Sequence, residues 1–176
     1  MFFEIDIAFT SAPRHLLNLD LNENTIDLLN NSEQWKLNFD NWINFLCIEY
    51  KQYCPELMIG RSSFSLGLAF VDDFKIVELN QKWRGISKST DVLSFPAIDN
   101  SLNLPLDIPL ELGDIFVSVP KAQIQAIEHS HCLAKELNWL VTHGLLHLLG
   151  WDHPDAKLLK EMLYCQDRLM ELHVET

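Results

Sequence analysis

The chain has 176 residues, 48% of them hydrophobic, enough to bury a core in one compact domain over residues 1–176 without disulfide staples. Thirteen basic residues against 25 acidic ones give a formal net charge of −12, which disfavours capture of nucleic acid or anionic membrane by broad electrostatic attraction. No apolar run approaches the roughly 18 residues of a membrane span, the acidic start lacks the basic leader of a secretory peptide, and Cys47, Cys54, Cys132 and Cys165 form no C-x-x-C pair, so a soluble cytoplasmic protein with reduced thiols is expected.

Phe2 to Phe9 alternates like a strand, and Ser11-Ala-Pro13-Arg breaks it. From Asn22 to Tyr50 apolar residues recur as Ile26, Leu28, Leu29, Trp35, Leu37, Trp42, Phe45 and Leu46, which predicts two helices with a break near Asn30 to Ser32. Ser63 to Phe70 reads as a second strand. Asp72 or Asp73 can cap the next helix, with Phe74, Val77, Leu79 and Trp83 as inward anchors and Gly85 as its stop. Val92 to Phe95, closed by Pro96, reads as a central or near-edge strand. Residues 100–109 have no clean period and predict an irregular loop, either bordering the functional cleft or a plain connection. Gly113 to Val119 supplies a fourth strand, with Pro120 at a first helical position. Residues 121–149 are helical in pattern with an interruption at 129–131, and Leu137, Leu140, Val141, Leu145 and Leu148 face inward. A last helix opens near Pro154 to Ala156, with Leu158, Leu159, Met162, Leu169 and Leu172 as packing residues. The expected fold is α/β or α+β: a roughly four-stranded mixed sheet flanked by five or six helices.

The segment His143-Gly-Leu-Leu-His147-Leu-Leu-Gly150-Trp-Asp-His153 carries the chemistry. Residues four apart on a helix share a face, and a left-handed Gly150 lets the chain turn back to bring His153 to the pair. Three neutral imidazoles suit one zinc ion per chain, or another divalent transition metal, in a cleft beside this helix. They leave one coordination position for water, whose pKa the ion lowers to about 7. The spacing H-x-x-x-H-x-x-G-x-x-H is the ligand frame of zinc peptidases, but Gly144 stands where their general-base glutamate would be, which argues against proteolysis. The bland competitor is a set of packed helical histidines; a closed structural zinc with Cys132 as fourth ligand also stays open.

Asp152 either orients a ligand histidine or caps the last helix, and Asp91 either supports a ligand or forms a turn. Arg84 can grip phosphate through two parallel hydrogen bonds. It belongs to the one basic stretch, with Lys75, Lys82, Lys88 and, nearby, Arg61; an ordinary solvated face is the alternative. His15, His129 and His131 read as surface or core histidines outside any site.

These motifs resemble the YbeY-type family of bacterial single-strand-specific endoribonucleases and ribosomal RNA maturation factors. The histidine segment matches its signature, with Trp151 where members usually carry tyrosine. Trp83-Arg84-Gly85, Thr90-Asp91-Val92-Leu93-Ser94-Phe95-Pro96 and Leu112-Gly113-Asp114-Ile115 match further blocks in the family's order. The resemblance implies a zinc-like ion on His143, His147 and His153, a catalytic or substrate-handling Arg84, single-stranded or ribosomal RNA as substrate, and work on the 3′ end of small-subunit ribosomal RNA and in ribosome quality control. The ribosomal small subunit or its proteins would be partners, and no membrane is involved. Two competing functions stay open: an assembly or binding factor whose ion only rigidifies the cleft, and a metallohydrolase of another substrate.

Overall fold

Alternating apolar positions draw the chain into four strands, β1 (Glu4–Thr10), β2 (Ser63–Val71), β3 (Val92–Pro96) and β4 (Leu110–Ser118). The computed structural model describes residues 3–17, 21–51, 54–99, 101 and 104–172. Among these lie six α-helices: α1 (Glu23–Asn30), α2 (Ser32–Glu49), α3 (Asp73–Arg84), α4 (Val119–Glu128), α5 (Leu133–Leu148) and α6 (Ala156–Glu171). The strand order is β1-β2-β4-β3; the first three are parallel and β3 runs antiparallel along the edge beside β4. The predicted mixed sheet and its helices are therefore present.

Successive residues on β2 and β4 point to opposite faces and feed two cores of unequal size. Leu68, Phe70, Ile115 and Val117 enter the larger one, filled by Trp35, Phe39 and Trp42 of α2, Leu137 and Leu145 of α5, and Met162 and Leu169 of α6. Val71 and Leu93 form a smaller core with Ile76 and Leu79 of α3, and Ala69, Phe95 and Phe116 pack against it. The Trp42 indole donates to the Leu169 carbonyl at 3.0 Å, and Asn38 donates to Asn138 at 3.1 Å, so buried polar groups tie α2 to α6 and to α5.

Local chemistry sets the helix ends. Asn31 separates α1 from α2 in an extended conformation while its side chain accepts from the Glu33 N–H, which puts the break within the expected residues. Asp72 is the cap of α3; Asp73 instead accepts from the Ser89 and Ser118 hydroxyls at 2.6 and 2.8 Å, tying α3 to the segment before β3 and the end of β4. Gly85 ends α3 at φ +70°.

Several packing expectations are corrected. Phe74 and Trp83 are 83% and 62% exposed because the core under α3 is small and is filled by Ile76 and Leu79. Ile26, Leu37, Leu158 and Leu159 are also exposed, while Phe39, Ile43 and Cys165 are buried in the larger core. Arg61 is no part of a basic surface. It is buried, and its guanidinium donates to the carbonyls of Leu57, Leu104, Pro105 and Ile108 at 2.6–3.0 Å, fastening the irregular loop before β4. Residues 100, 102 and 103 of that loop, and Phe2 of the first predicted strand, lie outside the described residues.

Candidate metal centre

α5 lies directly on β3 and β4, and Gly144 is the point of closest approach: a Cβ there would stand 2.8 Å from Ile115 Cγ2 and 3.1 Å from Ser94 Oγ. Any side chain at this position, a glutamate included, would meet the sheet. The helix stops at Leu148, Gly150 takes φ +86°, and the Trp151 N–H bonds back to the Leu146 carbonyl at 3.0 Å. That turn brings His153 over the helix, its ring centroid 5.3 Å from that of His147 and 5.8 Å from that of His143. Ligand nitrogens of all three histidines lie within 4.8 Å of one another.

The two helical imidazoles are aimed from behind. His147 Nδ1 lies 2.9 Å from the Trp151 carbonyl oxygen, which can only accept, so Nδ1 carries the proton and Nε2 a lone pair. His143 Nδ1 lies 3.2 Å from Gln166 Oε1 of α6. The Gln166 amide is oriented by its own NH2 group, which donates to the Trp139 carbonyl at 2.7 Å, so its oxygen faces His143 and again fixes Nδ1 as the donor. Trp139 also stacks on the His143 ring, 5.4 Å between centroids and 6° from parallel. The remaining nitrogens, His143 Nε2 and His147 Nε2, stand 3.1 Å apart with lone pairs facing. Tetrahedral zinc with bonds of 2.0–2.1 Å separates its ligand nitrogens by about 3.3 Å, so this donor set fits such an ion. Burial holds both imidazoles below their usual pKa, opposed by the bonds to Gln166 and Trp151, which favours the neutral form that a metal needs.

The other expected residues are placed as follows. Asp91, at the entrance to β3, is near enough to favour charge on His143, and its carboxylate is held by Gln125, Thr90 and the Val92 N–H. Asp152 accepts from the His153 N–H at 2.8 Å and so shapes the return turn; the cap of α6 is Asp155. Arg84, the exposed last residue of α3, is near enough to disfavour charge on His147. Lys75 of the same stretch pairs with Glu78 at 3.0 Å. Lys82 lies 5.1 Å from the centre of the Trp83 ring, and that ring packs against Phe95 at 5.8 Å. Cys132 precedes α5, eleven helical residues or about 16 Å from His143, too far to close the trio as a fourth ligand. Sequence reasoning missed Gln166 and Trp139. The one available signal was a glutamine on the apolar face of α6, among Met162, Cys165 and Leu169.

A family described as Endoribonuclease YbeY matches residues 21–173. The chain belongs to the YbeY family. Among relatives named Endoribonuclease YbeY, one from Prochlorococcus marinus strain NATL2A is 44% identical over 96% of this chain and 92% of its own length. Another, from strain MIT 9313, is 48% identical over 97% and 91%. The solution structure of TM1509 from Thermotoga maritima superposes with a TM-score of 0.52 over 96% of this chain and 88% of that one, at 24% identity, a likeness of fold. YbeY membership covers the three-histidine segment and the stretch containing Arg84 and Asp91. Among the described residues, no helix is long and apolar enough to cross a membrane.

Proposed function

We propose that this chain is a metal-dependent endoribonuclease of single-stranded RNA, acting in the cytoplasm as one domain over residues 1–176 on the 3′ end of small-subunit ribosomal RNA and in ribosome quality control. The observation that carries this reading is the pair of facing Nε2 lone pairs, 3.1 Å apart, which repel each other unless a cation sits between them. Family membership supports the substrate class, since the curated relatives are named endoribonucleases.

His143, His147 and His153 would hold one zinc ion. When bound, such an ion would supply Lewis acidity and the means to activate water near neutral pH. The chain's own groups do the remaining work. Gln166 and the Trp151 carbonyl hold the Nδ1 protons and so keep both Nε2 atoms turned to the site. Arg84 grips the phosphodiester and counters charge growing on its non-bridging oxygens. Asp91 and Asp152 support the histidines from outside, through charge and the return turn. The exposed Trp83 face, beside Lys82 and Arg84, offers an unpaired base a stacking surface, which a base inside a duplex could not use.

The test is cleavage of a labelled single-stranded ribosomal RNA 3′ end by metal-analysed wild type, His147→Ala and Arg84→Ala prepared in parallel. Wild type cleaves, His147→Ala loses metal and cleavage together, and Arg84→Ala keeps its metal while losing cleavage. Equal cleavage by all three would refute the assignment. Cyclic phosphate products and inert DNA would assign the nucleophile to the ribose 2′-hydroxyl rather than to water.

A further inference from the structure

A second group of metal-binding side chains stands at the other end of α5. The turn from α4 to α5 is built on His129, Ser130 and His131. His129 closes α4 with its N–H on the Gln125 carbonyl, and Ser130 takes the left-handed φ of +57°. The His131 N–H then bonds back to the Ala126 carbonyl at 3.0 Å. The left-handed residue throws both imidazoles to one side, their centroids 5.5 Å apart, and both reach the same atom, Oε2 of Glu136. His131 Nε2 touches it and His129 Nδ1 is 3.4 Å away.

Two features distinguish this cluster from a surface ion pair. The Glu136 side chain is only 2% exposed, in the first turn of a helix whose remaining face is core, and a carboxylate so buried needs a compensating cation or donors. One imidazole would satisfy that need. The second, His129, is 57% exposed and free to turn to water, yet it converges on the same carboxylate oxygen. Two imidazole nitrogens and one carboxylate oxygen within 4.8 Å of one another are a donor set for zinc, nickel, cobalt or copper, and the exposed side of His129 leaves room for solvent to complete the shell.

We propose that His129 Nδ1, His131 Nε2 and Glu136 Oε2 form a second divalent-metal site, separate from the three-histidine centre, which clips the end of α4 to the start of α5. The two sites share a helix: Glu136 and His143 are seven residues apart, about two turns. An ion at Glu136 therefore secures the first turn of the helix that carries the other ligands.

The experiment uses the full chain stripped of metal and titrated with Zn2+ and, for its visible bands, Co2+. Wild type should take up a second equivalent beyond the one assigned to the three histidines. His147→Ala should keep that second equivalent, and Zn2+ should still raise its melting temperature. Adding His129→Ala, a change at an exposed side chain, should weaken this residual binding by more than about tenfold and remove both the cobalt bands and the thermal shift. His153→Ala, also at an exposed position, replaces His147→Ala if that variant does not fold. The proposal is overturned if the variants lacking the three-histidine centre bind no metal, or if His129→Ala leaves their uptake unchanged. Neither result depends on RNA cleavage, so this site and the nuclease reading fail separately.

Discussion

His143 is aimed by a residue 23 positions further along the chain, Gln166, whose amide is in turn oriented by the Trp139 carbonyl. Gln166→Leu keeps the apolar packing of α6 and leaves His143 Nδ1 without its acceptor. Metal affinity should fall about 10–100-fold with the fold intact, read by competition with a chromophoric chelator; unchanged affinity would mean that stacking on Trp139 is enough to aim the ring. Asp91 gives a prediction in pH. Burial pushes its carboxyl up, but hydrogen bonds from Gln125, the Val92 N–H and Thr90 outweigh burial and hold it below the usual carboxylate value. Because the folded value is the lower one, this stabilisation is complete above about pH 3.9 and is lost as pH falls through the folded value. Asp91→Asn should cost about 1–3 kcal/mol at pH 7, and the gap to wild type should close on acidification below about pH 4. Denaturant unfolding at several pH values decides it, and a gap constant in pH would contradict the charge assignment. The three-histidine frame was legible because helical spacing and a glycine turn are local geometry. Gln166 was not, since it reaches His143 only through the packing of α6 on α5, and His129 and His131 were passed over because their convergence depends on a left-handed serine that sequence does not mark.

At the scale of elements, α5 is held against the sheet by the absence of a side chain at Gly144. Gly144→Ala gains about 1 kcal/mol in helix propensity and loses about 1–3 kcal/mol in overpacking against Ile115. The expected outcome is a net loss of about 1 kcal/mol by thermal or denaturant unfolding, with weaker metal binding as His143 and His147 move with the helix. A variant as stable as wild type would show that Ile115 yields freely. Element type and order were legible because periods of 2 and 3.6 are distinct, and because Asn31, Gly85 and Gly150 punctuate the chain where they should. What failed was depth. Apolar spacing on α3 named Phe74 and Trp83 as anchors, but how much core lies beneath a helix depends on the sheet face it covers, and that face is small.

For the whole molecule, a net charge of −12 confines attraction for RNA to a local surface. With Arg61 buried and Lys75 paired to Glu78, the basic stretch that contains Arg84 reduces to Lys82, Arg84 and Lys88. Three phosphate contacts at about 0.7 each give a slope of log affinity against log salt near −2 for single-stranded RNA. Filter binding across about 50–200 mM salt measures it, and a slope steeper than about −4 would place the RNA on some other surface. The bond between His143 and Gln166 also gives the centre a position in time. Synthesis runs from the N-terminus at about 5–20 residues per second, so roughly a second passes between the making of His153 and of Gln166. A nascent chain caught in that interval already carries every histidine of the trio but lacks the bond that aims the first of them, so an unfinished copy is not yet a finished cutting tool.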